Sequence, residues 1–141
     1  MGIPEIEVDV VIPGQTRYLA MVGNIGEQIA SAIDRYSGDR DLLAYSLNLA
    51  LTEAVVNAIE HADPNGPEHK VHVHIRLADE DLRMTVCDQG HGFDLDTLPP
   101  PDLDDMLERG RGLFLIRNLM DSVASYRTPD GHVLEMTKSL G

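Results

Sequence analysis

The run that most limits what this chain can fold into is DLLAYSLNLALTEAVVNAIEHA, residues 41 to 62. Its apolar residues cover more of a helical circumference than one buried stripe requires. At 3.6 residues per turn, Leu47, Leu51, Ala54, Val55, Ala58 and Ala62 share one face, and Glu53, Asn57 and Glu60 fall opposite. The polar side also carries Leu49, Ala50 and Val56, so something is expected to cover part of that side too. Glu53 and Asn57 would then line a pocket. Asn is a poor residue inside a helix because its amide competes with the backbone, so an Asn one turn after a Glu suggests a task beyond folding. Taken alone, this stretch is explained as well by a surface helix with solvated acids.

Around this helix the chain alternates between two periodicities. In EIEVDVVI, residues 5 to 12, Ile6, Val8, Val10 and Ile12 alternate with acids, the period of a half-buried strand, and Pro13 and Gly14 end it. Residues 15 to 36 read as a helix through Leu19, Val22, Ile25, Ile29 and Ile33. Gly23 and Gly26 either weaken its middle or mark a close approach by another backbone. Ser37, Gly38 and Asp39 make a turn and N-cap for the next helix, which Asp63, Pro64, Asn65, Gly66 and Pro67 stop. Two alternating runs, Val71 to Leu77 and Leu82 to Cys87, read as a hairpin around Asp79 to Asp81. A strand over Val123 to Tyr126, a turn at Pro129 to Gly131 and a strand holding Leu134 and Met136 complete the order.

Two further stretches change the reading of the central helix. DQGHGFD, residues 88 to 94, follows directly on a strand, and Gly90 and Gly92 permit close approach by a ligand. By itself it is also an ordinary glycine-rich turn. In ERGRGLFLIRNLMD, residues 108 to 121, Gly110 and Gly112 precede an apolar helix, where free N–H groups and the helix dipole suit a phosphate. Arg109, Arg111 and Arg117 concentrate positive charge there, in a chain of net charge −13. Between the two lie six acids, three consecutive prolines and no Lys or Arg over residues 94 to 108, too acidic and broken for core. That length suits a lid over a site, or a plain solvated loop. Neither G-x-G-x-x-G nor the P-loop pattern occurs.

Charge and cysteine content exclude several classes. With 11 basic against 24 acidic side chains, the chain repels nucleic-acid backbones and acidic lipid at long range, while a basic protein partner is compatible. At 141 residues and 43% hydrophobic content, one globular domain is expected. The single cysteine, Cys87, cannot form an intrachain disulfide and reads as a small buried side chain. His72 and His74 share a strand face; two His without a third ligand fit an exposed or interface face better than a metal site. No apolar run is read as approaching the roughly 20 residues of a bilayer span, and no signal-peptide pattern opens the chain, so a cytoplasmic location is expected.

In this order, Glu-x-x-x-Asn on a helix, Asp-x-Gly-x-Gly after a strand and Gly-x-Gly leading into a helix resemble the GHKL ATPases. Within them, EAVVNAIEHA, DQGHGFD and RGRGLFLIRNLMD are similar to the anti-sigma-factor serine protein kinases of bacterial partner-switching systems, over residues 5 to 139. The resemblance implies the Bergerat ATP-binding fold: a two-layer α/β sandwich with a mixed, mostly antiparallel sheet and helices on one face. A single kinase domain would span residues 1 to 141, with an ATP lid at about 94 to 109. It implies ATP and Mg2+, with Asn57 as metal ligand, Glu53 as general base and Asp88 accepting a hydrogen bond from the adenine amino group. Gly90, Gly92, Gly110 and Gly112 would sit close to the nucleotide, and Arg109 and Arg111 would offset phosphate charge. His61 is read as structural. The implied partners are a sigma factor, a serine-bearing STAS-domain anti-anti-sigma factor and a second copy of the chain, with Arg17 an exposed candidate contact. An alternative keeps the nucleotide pocket but phosphorylates nothing, acting only as an anti-sigma binding module. The chain departs from the family pattern at His132, where a Thr usually follows the glycine of the last turn.

Overall fold

Sequence alternation becomes a sheet of five strands among the described residues of the computed structural model, which are 5–33, 36–60, 70–88, 111–128 and 131–141. The strands are β1 (Ile6–Pro13), β2 (Lys70–Ala78), β3 (Asp81–Cys87), β4 (Ser122–Thr128) and β5 (Gly131–Ser139). Their order is β1-β2-β3-β5-β4, and every neighbouring pair is antiparallel. One row of side chains, Val8, Ile75, Met84, Met136 and Val123, crosses all five strands in register. That row lies on the face covered by the helices, so the α/β sandwich with helices on one face is the observed architecture. The turn between β2 and β3 is tighter than the sequence suggests. Only Asp79 and Glu80 make it, at φ 53° and 67°, the left-handed conformation a two-residue hairpin needs to match strand twist.

The helices are α1 (Leu19–Ala32), α2 (Arg40–Glu60) and α3 (Arg111–Leu119), with a 3-10 turn at Thr16–Tyr18 leading into α1. The helix expected over 15 to 36 is therefore shorter. Its backbone turns extended at Ile33, where the buried side chain leaves the helix axis. Arg40, from the next helix, donates to the carbonyls of Ala30 at 3.1 Å and Ser31 at 3.3 Å, supplying partners that a helix C-terminus lacks. Asp39 caps α2 as expected, its Oδ1 accepting from the Leu42 N–H at 3.1 Å.

α2 is the axis of the molecule. Leu43, Leu47, Ala50, Leu51, Ala54 and Val55 are all essentially inaccessible and belong to one core cluster with Ile29, Val73, Ile75, Val86, Ile116 and Met136. By length and composition α2 is also apolar enough to cross a membrane, a property the sequence reading did not credit; half of that stretch is buried inside the protein. A core helix covered on several sides passes the same test.

Gly23 and Gly26 do mark a close approach. A Cβ on Gly23 would stand 2.6 Å from Asn48 Oδ1, and one on Gly26 would stand 3.0 Å from the Leu47 carbonyl carbon. Gly26 lets α1 lie against the α2 backbone at Leu47 and Gly23 leaves room for the Asn48 and Thr52 side chains, at a helix-propensity cost of about 1 kcal/mol per glycine. Gly26→Val is expected to destabilise the protein by about 1–3 kcal/mol through overpacking against Leu47, measured by urea unfolding. Valine at exposed Ala32, near the end of the same helix, is expected to change stability by under about 1 kcal/mol.

Candidate functional site

Glu53 and Asn57 stand one turn apart on α2. Glu53 is half-buried, whereas Asn57 is only 7% exposed, unlike a solvated surface residue. The Asn57 Nδ2 atom is buried with no hydrogen-bond partner among the described residues. Such an atom normally costs about 1–3 kcal/mol, so this amide terminus is one whose bonding a ligand, an ion or an ordered water could complete. The two ends of an amide are exchangeable by a flip, and either an oxygen or an N–H can face that position.

Asp88 follows β3 by one residue and is nearly buried. Alternation along β3 puts Leu82, Met84 and Val86 against the helices, so Asp88 emerges on that same face, the layer that holds α2. Its N–H donates to the His132 carbonyl at 3.2 Å, and its Oδ1 accepts from the His132 N–H at 2.8 Å. One carboxylate oxygen is thus pinned to the start of β5. The orientation of the acid is set by backbone, independently of the side chain at 132.

The side chain at 132 has its own partner. Its Nε2 is hydrogen-bonded to the hydroxyl of Ser125, a fully buried residue on β4. Arg127 is the register partner of His132. The imidazole that replaces the family's usual Thr is therefore accommodated by a serine on the adjacent strand. The sequence reading missed Ser125; its only signal was a hydroxyl on the inward phase of β4, two residues after Val123.

The third motif is held from its far end. α3 packs on α2, and its last turn is tied to β5: Lys138 Nζ donates to the Leu119 carbonyl at 3.0 Å, a cation at a helix C-terminus. The Asp121 N–H donates to the Thr137 carbonyl at 2.9 Å, and the Ser139 N–H to Asp121 Oδ2 at 2.5 Å. These contacts set the direction of α3, whose first two residues are Arg111 and Gly112, as the glycine-before-helix reading requires. Gly90, Gly92, Arg109, Gly110 and the expected lid at 94 to 109 lie outside the described residues, as does His61.

Residues 17–138 match the family described as the histidine kinase-like ATPase domain. The chain belongs to that family. It is RsbW-like, being 30% identical over 141 residues to the serine-protein kinase RsbW of Halalkalibacterium halodurans, an alignment covering 94% of this chain and 83% of that protein. It is 33% identical over 117 residues to the anti-sigma F factor of Oceanobacillus iheyensis, covering 79% and 80%. Against the RsbW of Staphylococcus aureus it is 34% identical over 99 residues, covering 64% of this chain and 62% of that one. The histidine kinase-like ATPase domain is a nucleotide-binding family.

The other candidates resolve into structure. His72 and His74 each face an acid on β1, Asp9 at 2.6 Å and Glu7 at 3.0 Å, while Arg76 stands 3.7 Å from Glu5. Together they form a ladder of cross-strand pairs on the face away from the helices. Among the described residues no group of three or more His, Cys, Asp or Glu is arranged to hold a metal ion. Cys87 is buried, and burial together with the neighbouring Asp88 carboxylate pushes its thiol up to about 12. At pH 8 about one molecule in ten thousand carries the thiolate. Iodoacetamide at pH 8 is therefore expected to leave Cys87 unmodified in the folded protein and to label it in guanidinium, read by intact mass. Since the folded-state value is raised, its contribution to stability is present at neutral pH and is lost as pH rises from about 9 toward 12.

Proposed function

We propose that this chain is an anti-sigma factor and an ATP-dependent serine kinase of a partner-switching system. It would sequester a sigma factor and phosphorylate a serine on a STAS-domain anti-anti-sigma antagonist. The observation that carries this reading is the unpartnered, buried Asn57 amide one turn beyond Glu53. The names of its relatives, serine-protein kinase RsbW and anti-sigma F factor, support the partner class.

The residues present fit a magnesium ion. Asn57 offers one hard oxygen when its amide is turned, and the absence of a carboxylate cluster among the described residues suits an ion that keeps its waters and takes most ligands from phosphate. When bound, Mg2+ would offset charge on the phosphate oxygens. Asp88, held by the His132 backbone through one oxygen, keeps the other for the exocyclic amine of adenine; guanine presents a carbonyl there, which a carboxylate repels. The amides at Gly112 and the start of α3, with Gly110, Arg109 and Arg111, would receive the phosphates, and Gly90 and Gly92 would let the chain pass close to the nucleotide.

In the reaction the substrate serine oxygen attacks the γ-phosphorus, the bond to the β-phosphate oxygen breaks, ADP leaves, and Glu53 takes the serine proton. Such transfer depends mainly on positioning and charge stabilisation, so one base and a rigid cradle suffice. The homodimer and the cytoplasmic location belong to this same reading. The sheet face opposite the helices, with its acid–His ladder, is the surface available for a second copy.

The test incubates the protein with labelled ATP, Mg2+ and each serine-bearing STAS-domain protein of the same cell. Glu53→Ala is expected to slow transfer by about 10²- to 10⁴-fold with ATP binding retained. Asp88→Asn is expected to weaken ATP binding by about 10- to 100-fold with unchanged folding, because it places a donor where the adenine amine needs an acceptor. Capture of a sigma factor with no label transfer by the wild type would leave the binding-module reading; no ATP uptake by calorimetry would remove both.

A further inference from the structure

Glu53 lies at the end of an exposed apolar stripe. Stepping back along α2 by three and four residues, Leu49, Tyr45 and Leu42 share its outward side. Leu42 is 58% exposed and Tyr45 60%, with Leu49 and, beyond Glu53, Val56 half-buried. A helix that faced only water would carry charged side chains there.

Beside the stripe, between α1 and α2, is an open cavity of about 460 Å³ lined by Glu27, Asp41, Ala44, Tyr45, Asn48 and Leu49. Its Glu27 is held in place: Oε2 accepts from Asn48 Nδ2 at 2.6 Å, and Thr52 in turn donates to Asn48 Oδ1 at 3.2 Å. Among the described residues the lining thus combines an aromatic ring and a leucine with two carboxylates and no cation. That suits a long side chain with an aliphatic stem and a positive head. Anionic lipid or nucleic acid is repelled by the same pair of acids, and so is a second copy presenting the same groove.

We propose that this groove seats a Lys or Arg of the protein substrate, about four residues from the serine that is phosphorylated. The spacing follows from the helix. The groove centres near residue 45, eight residues before Glu53, or about 12 Å along the axis at 1.5 Å per residue. An extended chain covers that distance in about four residues. This inference rests on the reading of Glu53 as the base that receives the serine proton. The groove then confers specificity: it recognises the segment flanking the acceptor and sets its register against the carboxylate.

The experiment uses the full chain and the STAS-domain protein labelled in the assay above. The double variant Glu27→Gln/Asp41→Asn keeps hydrogen-bonding shape and removes both charges; Tyr45→Ala removes the ring. Each is expected to raise KM for the protein substrate about tenfold or more, with kcat, the KM for ATP and the melting temperature near wild type. Replacing the Lys or Arg near the substrate serine by Ala should produce the same rise with the wild-type enzyme and no further rise with the double variant. An unchanged KM in both enzyme variants overturns the proposal, as does a rise that is fully additive with the substrate change. Variants that phosphorylate normally but lose a sigma factor would assign the groove to that partner instead and overturn it equally. If the wild type labels no STAS-domain protein, the kinase reading fails first and this inference with it.

Discussion

The contact between α1 and α2 is the constraint on which the rest of the structure depends. Gly23 and Gly26 remove the side chains that would hold the two helices apart, so α1 meets the backbone of α2 at Leu47. With α1 on one flank, the sheet beneath and α3 on another flank, α2 is covered on three sides and leaves the Leu42 and Tyr45 side open. Burial of that extent accounts for its composition.

From that arrangement the site follows by placement. The sheet contributes Asp88 because β3 ends under α2, and the exchange of two hydrogen bonds with the His132 backbone fixes the acid at the β3–β5 edge of the layer. α3 is aimed by its C-terminal end, where Lys138 and the Asp121 contacts lock it to β5. The residues proposed to act on the nucleotide lie on separate elements. Asp88 and the α3 helix are positioned by contacts that do not involve a ligand, which is the condition for groups organised before binding.

The departure at His132 shows how far a motif difference reaches. What holds Asp88 is main chain, so exchanging Thr for His at 132 leaves that anchor intact. The side chain is a separate matter. The imidazole is paired with the Ser125 hydroxyl on the neighbouring strand. A substitution that looks drastic in one dimension is offset by a partner seven residues away in the chain and adjacent in the sheet.

Most of the elements were legible in the sequence because their signals are local. Alternation in β1, β2 and β3, the Asp39 cap and the proline and glycine breaks all act within a few residues. The glycine-before-helix pattern at α3 and the Glu53–Asn57 spacing are local too. What the sequence left open were relations between distant residues: whether Gly23 and Gly26 weaken a helix or admit another, whether His72 and His74 wait for a metal or pair with Glu7 and Asp9, and which side of α2 is covered. Those answers depend on the register of β1 against β2 and the approach of α1 to α2, which no single stretch encodes. Periodicity determines which face of an element is apolar, but only packing decides what meets that face, because burial and hydrogen-bond satisfaction are settled between elements.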